Sequence, residues 1–443
     1  MLLEAKAHDR TLIVVVALLS KLSWPQQQQM SGLERGRAQI ILQVVAGDVR
    51  KHYFDPKFHG VDFDAKVVEA KQNIEKANSF NMSMSHIAAA LDSLDDSHTF
   101  LIPPQHAYRY DSGLQYQMIG ERCFVMRVRP QSYAEAKGVK AGDEIVTLNG
   151  YLVNRRDIWK MQYVFGLLRP QPNLRLGLQD PTGGQRQVDV AAKIRNTKPV
   201  TDLTGGGGGG DIWDLIREVE NEEHLTRARY AEYGDQLMVL KVPEFSFSAA
   251  EVDKMIGKAR KYPNLIMDLR GNPGGSVETL KYLVGGMFEK EVKIADRTGR
   301  KETKAEVAKA AHNPFTGKLA VLVDSKSASA AELFARIVQL EKRGVVMGDQ
   351  TAGAVMEAKH YSEKIGTDTV VFFGASITEW DLIMADGKSL EHTGVTPDEL
   401  VLPRPDALAN GRDTVLAHAA ESLGVKVSAE EAGKAFPYEW PSD

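Results

Sequence analysis

No helix or strand can run through residues 205–210, because six consecutive glycines have no side chain to bury and lose the most backbone freedom on ordering. The run reads as a flexible linker. It divides the chain into an N-terminal part that must find its core within residues 31–196 and a C-terminal part that begins near residue 231. The run also satisfies Gly-x-Gly-x-x-Gly, but residues 198–204 make a poor buried strand before it, so a dinucleotide loop is not expected there. A length of 443 residues implies two or three folded units. With 43% hydrophobic and 26% charged residues and a net charge of −4, the surface is not that of a nucleic-acid-binding protein.

Residues 1–30 read as a leader. The apolar run Leu12–Leu19 is far short of the roughly 20 residues of a membrane-spanning helix and fits the apolar region of a candidate signal peptide. Glu4, Asp9 and Lys21 around it, and the lack of an Ala-x-Ala site, fit that reading less well. Export to a periplasmic or extracellular space is the resulting expectation, with membrane association or cytoplasmic residence as alternatives. Residues 31–105 read as a helical domain, with Gln39, Leu42, Val45 and Val49 on one face and a second apolar-periodic stretch over Met82–Leu94. Residues 106–196 change to short strands, including Arg122–Val128, Glu144–Leu148 and Leu174–Leu178. Residues 197–230 read as the linker and a helix. Over 231–405, apolar strands at Leu237–Val242, Leu265–Leu269, Leu319–Val323 and Val345–Met347 alternate with helical stretches at Ala249–Tyr262, Ser276–Phe288 and Ala330–Leu340, which predicts an α/β domain. Residues 406–443 read as a helical tail that packs on its own chain or on a second subunit, so a homo-oligomer is one expectation. The single cysteine, Cys123, lies in an apolar strand pattern and reads as a buried structural thiol.

Two stretches could carry chemistry. The strand Leu265–Arg270 runs into Gly271-Asn-Pro-Gly-Gly275, and a helix follows near Ser276; such a turn leaves backbone N–H groups exposed where an oxyanion could develop. In Val323-Asp-Ser-Lys-Ser-Ala-Ser-Ala-Ala-Glu-Leu333, Ser329 stands at the mouth of a helix just after a buried strand, a position suited to a nucleophile. The segment Ala136-Lys-Gly-Val-Lys-Ala-Gly-Asp-Glu-Ile-Val-Thr-Leu-Asn-Gly150 resembles a PDZ domain. In such a domain Gly113, Leu114, Gln115 and Tyr116 would form the peptide-binding loop, capturing an extended peptide as an added strand; a PDZ fold that only packs against the core is the alternative. His52, His59, His86, His106 and His360 show no metal-ligand spacing, so neither a metal nor another cofactor is implied.

Together these segments resemble the S41 family of serine peptidases, the C-terminal processing protease superfamily, over residues 35–405, including His52-Tyr-Phe-Asp-Pro56 and Gly60-Val-Asp-Phe-Asp64. The resemblance implies a multidomain α/β protein with a crotonase-like peptidase core, protein or peptide substrates, and Ser329 as nucleophile with Ser325 and Ser327 as turn residues. In one branch the base is a lysine after a Gly-Glu-x-Thr-x-Gly turn. Here that turn is Gly348-Asp-Gln-Thr-Ala-Gly353 and Ala354 follows. Leu94-Asp-Asp-Ser-His-Thr-Phe100 instead resembles the Ser-His motif of the tricorn-like branch, which implies His98 as base, Ser97 as the bridging hydroxyl, and Glu391 of Leu390-Glu-His-Thr-Gly-Val-Thr-Pro-Asp398 as the carboxylate. Asp95 or Asp96 could orient the imidazole instead, and Lys359 is the one lysine soon after Ala354. The N–H groups of Gly274 or its neighbours and of Ala330 are the expected oxyanion donors. Two other functions are set against the peptidase: an inactive PDZ scaffold, suggested by Ala354, and an acyl-CoA enzyme, for which no adenine-phosphate motif is present.

Overall fold

A computed structural model describes residues 30–106, 108–196, 225–366 and 370–440; the leader and most of the predicted linker and helix at 197–230 lie outside them. Helix α1 (Gly32–His52) starts at a capping box between Ser31 and Glu34, and buries Ala38, Ile41, Leu42, Val45, Ala46 and Val49 along one stripe. Gln39 sits beside this stripe and is only half-buried. Helices α2 (Phe63–Lys76) and α3 (Phe80–Asp92), capped by Asp62 and Ser79, pack against α1. The chain then turns and enters β1 (Phe100–Ile102).

The β unit follows, entered by β2 (Tyr108–Asp111) and left by β9 (Lys193–Asn196), which pair with each other. Between them lie β3 (Leu114–Ile119), β4 (Arg122–Val128), the short helix α4 (Tyr133–Ala136), β5 (Glu144–Leu148), β6 (Tyr151–Leu152), α5 (Ile158–Tyr163), β7 (Asn173–Gln179) and β8 (Gln185–Ala191). Their antiparallel sheet has the order β3-β4-β5-β7-β8, with β6 on β5, so β3 is an edge strand. Cys123 is 1% exposed in this unit's core. Burial pushes its thiol up to about 12, too high for a nucleophile at neutral pH.

The α/β part comprises β10 (Arg229–Tyr233), β11 (Leu237–Lys241), α6 (Ala249–Ala259), β12 (Asn264–Asp268), α7 (Val277–Gly285), β13 (Val292–Thr298), β14 (Thr303–Ala308), β15 (Lys318–Val323), α8 (Ala330–Leu340), β16 (Val345–Gly348), β17 (Met356–Ile365), β18 (Val371–Ile383) and β19 (Glu399–Leu400). One sheet has the order β10-β11-β12-β15-β16-β19, parallel from β11 onward. Strand residues alternate between its faces. Met238, Leu240, Leu265, Met267, Leu319 and Val321 meet the side that carries α6, α7 and α8. Leu237, Val239, Ile266, Ala320 and Leu322 meet Val415, Leu416, Ala419 and Ala420 of α10 (Thr414–Ser422), which follows α9 (Pro405–Ala409) and precedes α11 (Ala429–Lys434). The tail thus packs on its own chain, completing a three-layer sandwich.

A second sheet joins β1, β13, β14, β17 and β18. Phe100, Leu101 and Ile102 pair with Ser376, Ala375 and Gly374, so the turn before β1 is anchored to the α/β part. No helix among the described residues is long and apolar enough to cross a membrane.

Candidate active site

Strand β15 delivers the chain to a tight loop that ends at Ser329. Asp324 Oδ1 accepts from the N–H groups of Gly271 (2.8 Å), Lys326 (3.0 Å) and Ser327 (3.1 Å), and the Ser327 hydroxyl donates to Leu269 O at 2.9 Å. Asp324 and Ser327 are therefore turn-builders that stitch the loop to the end of β12. Ser325 donates to Met118 O of the β unit. Ser329 itself has φ +53° and ψ −120°, a conformation costing about 1–3 kcal/mol for a non-glycine residue.

What holds it there is Glu332, one turn into α8. This buried carboxylate accepts from the N–H groups of Ser329 (3.0 Å), Gly353 (2.8 Å) and Ala354 (3.0 Å) and from Thr351 Oγ1 (2.5 Å). Hydrogen bonds to a charged group contribute about 1.5–3 kcal/mol each, so the set outweighs the strain. Burial nevertheless raises the Glu332 carboxyl to about 7, against the pull of its four donors. The sequence marks Glu332 only as part of a motif; its role as the hub of two loops is a product of tertiary structure.

The glycine-rich turn closes on the same serine. Gly274 has φ +98°, and a Cβ there would lie 2.7 Å from Ser329 Cβ and 2.9 Å from both Ala328 O and Ala330 N. The Gly274 N–H donates to Asn272 Oδ1 at 2.7 Å and is already engaged. Asn272, wholly buried, also donates to Val242 O. The amides of Gly275 and Ala330 donate to no acceptor among the described residues. We expect Gly274→Ala to lower stability by about 2–4 kcal/mol, from positive φ plus overpacking, and to cut activity at least about a hundredfold by displacing Ser329. Thermal unfolding and a peptidase assay measure both; a variant with wild-type melting and turnover would contradict the close packing.

The histidine arrives from the turn between α3 and β1. Asp96, 6% exposed, accepts from His98 N (2.8 Å), Thr99 N (2.9 Å), Thr99 Oγ1 (2.8 Å) and Thr378 Oγ1 (2.8 Å). It shapes the backbone and makes no bond to the imidazole. Asp95 is exposed and offers its carbonyl to His392 Nε2 at 2.8 Å. Glu391 instead reaches the ring through Ser97: Ser97 Oγ lies 2.9 Å from Glu391 Oε2 and 2.7 Å from His98 Nδ1. Glu391 also accepts from Ser97 N (2.7 Å) and Val355 N (2.8 Å). A hydroxyl has one proton, which goes to the carboxylate, so His98 Nδ1 must donate to Ser97 and Nε2 carries the lone pair. Burial lowers the His98 pKa, Asp96 opposes that, and His360 adds to it. Burial raises the carboxyl of Glu391, against its three donors.

The two halves meet at one peptide bond. The carbonyl of Ala354 accepts from Ser329 N at 2.9 Å, and the amide of the same peptide, Val355 N–H, donates to Glu391. His98 Nε2 has no hydrogen-bond partner among the described residues, Ser329 Oγ included. Lys359 lies along β17 with its ammonium 5.5 Å from the Tyr361 ring centre. Among the described residues no group of His, Cys, Asp or Glu side chains could hold a metal ion.

The β unit docks on the same loops. Gly120 N and Arg155 Nη2 both donate to Asp349 Oδ2, at 2.9 and 2.6 Å, Arg155 Nη1 reaches Gln350 O, and Gln117 donates to Asp324. Of the residues read as a peptide-binding loop, Leu114, Gln115 and Tyr116 lie on edge strand β3. Gly113 precedes it with its N–H on Asp111 Oδ1, so that amide is not available to a carboxylate.

The model of peptidase family S41 matches residues 236–401, a span that includes the Gly271–Gly275 turn, Ser329 and Glu391. The carboxy-terminal processing protease CtpA of Bacillus subtilis is 25% identical over 332 residues, 70% of this chain and 62% of that protein. Residues 236–401 are thus similar to peptidase family S41. Putative tricorn protease homolog 2 of Streptomyces coelicolor is 23% identical over 392 residues, 83% of this chain and 30% of that protein. The chain thus spans less than two thirds of the length of both relatives. Mature CPAF shares the fold, with a TM-score of 0.63 and 14% identity over 85% of this chain and 95% of that one.

Proposed function

We propose that the chain is a serine endopeptidase that cleaves protein or peptide substrates through an acyl-enzyme, with a crotonase-like core and a PDZ-like β unit that presents the substrate. The supporting observation is the continuous path Glu391–Ser97–His98, tied to the same peptide bond that holds Ser329. His98 Nε2 takes the Ser329 proton as Oγ attacks a carbonyl, and returns it to the leaving amine. Glu391 stabilises the imidazolium through Ser97, while the N–H groups of Ala330 and Gly275 hold the oxyanion. Substrate closes the His98–Ser329 contact, since catalytic hydrogen bonds tighten in the complex. An extended peptide on the free edge of β3 would be aligned by main-chain bonds. This base removes the motive for the inactive-scaffold reading, because Ala354 needs no lysine if His98 serves. The apolar run Leu12–Leu19 supports export as the setting.

The proposal fixes a pH dependence. The working base is neutral His98, whose pKa lies below the ordinary 6.5 because of burial. A depressed pKa keeps it neutral at pH 7 and loses the base only as pH falls through the lowered value. The acid limb of kcat/KM for an unstructured protein substrate should therefore have its midpoint below pH 6.5. A limb near pH 9 or above, as a lysine base requires, would overturn the assignment.

A further inference from the structure

The segment Phe436–Trp440, after α11, lies across both the α/β part and the β unit. Arg229, at the start of β10, donates to Pro437 O at 2.7 Å and stands over the Phe436 ring. Arg227 pairs with Glu439 at 3.0 Å. On the other side, Arg127 lies 4.9 Å from the Tyr438 ring centre and Arg129 lies 5.0 Å from that of Trp440. The two rings meet edge to face, 4.9 Å apart.

Residues 438 and 440 thus turn to one side and 439 to the other, the period-two pattern of an extended strand, and they match two arginines two apart, Arg127 on β4 and Arg129 just past its end. These arginines adjoin the edge strand: Arg127 is opposite Gln115 in register, and Arg129 N donates to Gly113 O. A face that holds aromatic, acidic and aromatic side chains in succession is a recognition surface for that pattern, and the chain supplies its own copy.

We propose that Arg127 and Arg129, with Arg227 and Arg229 facing them, dock extended peptides that alternate aromatic and acidic residues, and that Phe436–Trp440 occupies this surface as an internal competitor of substrate. The idea rests on reading the β unit as a peptide-presenting domain. The test uses the full chain carrying Ser329→Ala, so binding is read without turnover and stays separate from the peptidase assignment. A fluorescein-labelled Phe-Pro-Tyr-Glu-Trp peptide is titrated by anisotropy against this chain and against the same chain with Tyr438→Ala/Trp440→Ala. The open form should bind at least about tenfold more tightly than the closed one, and adding Arg127→Ala should cost it about tenfold. Should the aromatic pair prove necessary for folding, Glu439→Lys, which reverses the pair with Arg227, opens the surface by another route. Equal binding by the closed and opened chains, or binding that ignores Arg127, overturns the proposal.

Discussion

Ser329→Ala is expected to abolish peptide hydrolysis, lowering kcat/KM by roughly a millionfold, with little change in unfolding temperature. The stability expectation follows from the local geometry. The bonds that hold this residue are made by its backbone: N–H to Ala354 O and to Glu332, and carbonyl from Glu332 N and Leu333 N. An alanine keeps all of them and bears the same positive φ. Turnover falls and the fold persists, which separates a nucleophile from a structural serine. Retained hydrolysis in a folded variant would remove the nucleophile assignment.

His98→Ala should cost a comparable amount, roughly ten-thousandfold to a millionfold, because serine without a base is unreactive at neutral pH. Residues that act as one unit are not additive, so the double variant should be no slower than Ser329→Ala alone. Asp96 continues to shape the turn through backbone and hydroxyl donors that do not depend on the imidazole, so His98→Ala should fold. If the losses instead multiply, His98 acts apart from Ser329, and the route through Ser97 to Glu391 has another purpose.

Strands β11, β12, β15 and β16 were legible because buried parallel strands read as continuous apolar runs, and helices α6 to α8 between them because a sheet-facing helix needs an apolar stripe. The β17–β18 hairpin was not, since Glu357, Lys359, His360 and Glu363 give β17 a polar reading although it pairs along its whole length with β18. β1 escaped because three residues carry no period, and its pairing with β18 is set across most of the chain. Candidate site residues come from motifs where the proposed chemistry demands a residue type: Ser329, Ser97, His98 and Glu391. Groups that act through position were invisible. The hub role of Glu332, the backbone role of Asp96 and the capture of the Gly274 N–H by Asn272 depend on atoms brought together by the fold. Gly275 is the neighbouring amide left free.

The central claim is that Ser329 is activated by His98. The measurement that tests it most directly is labelling of the purified chain with a fluorophosphonate, which reacts with serines activated by a base, followed by mapping of the adduct by mass spectrometry beside the His98→Ala variant. The account predicts an adduct on Ser329 in the wild type and none in the variant. Labelling of Ser329 that persists without His98, or a folded wild-type chain that takes no label, would contradict it.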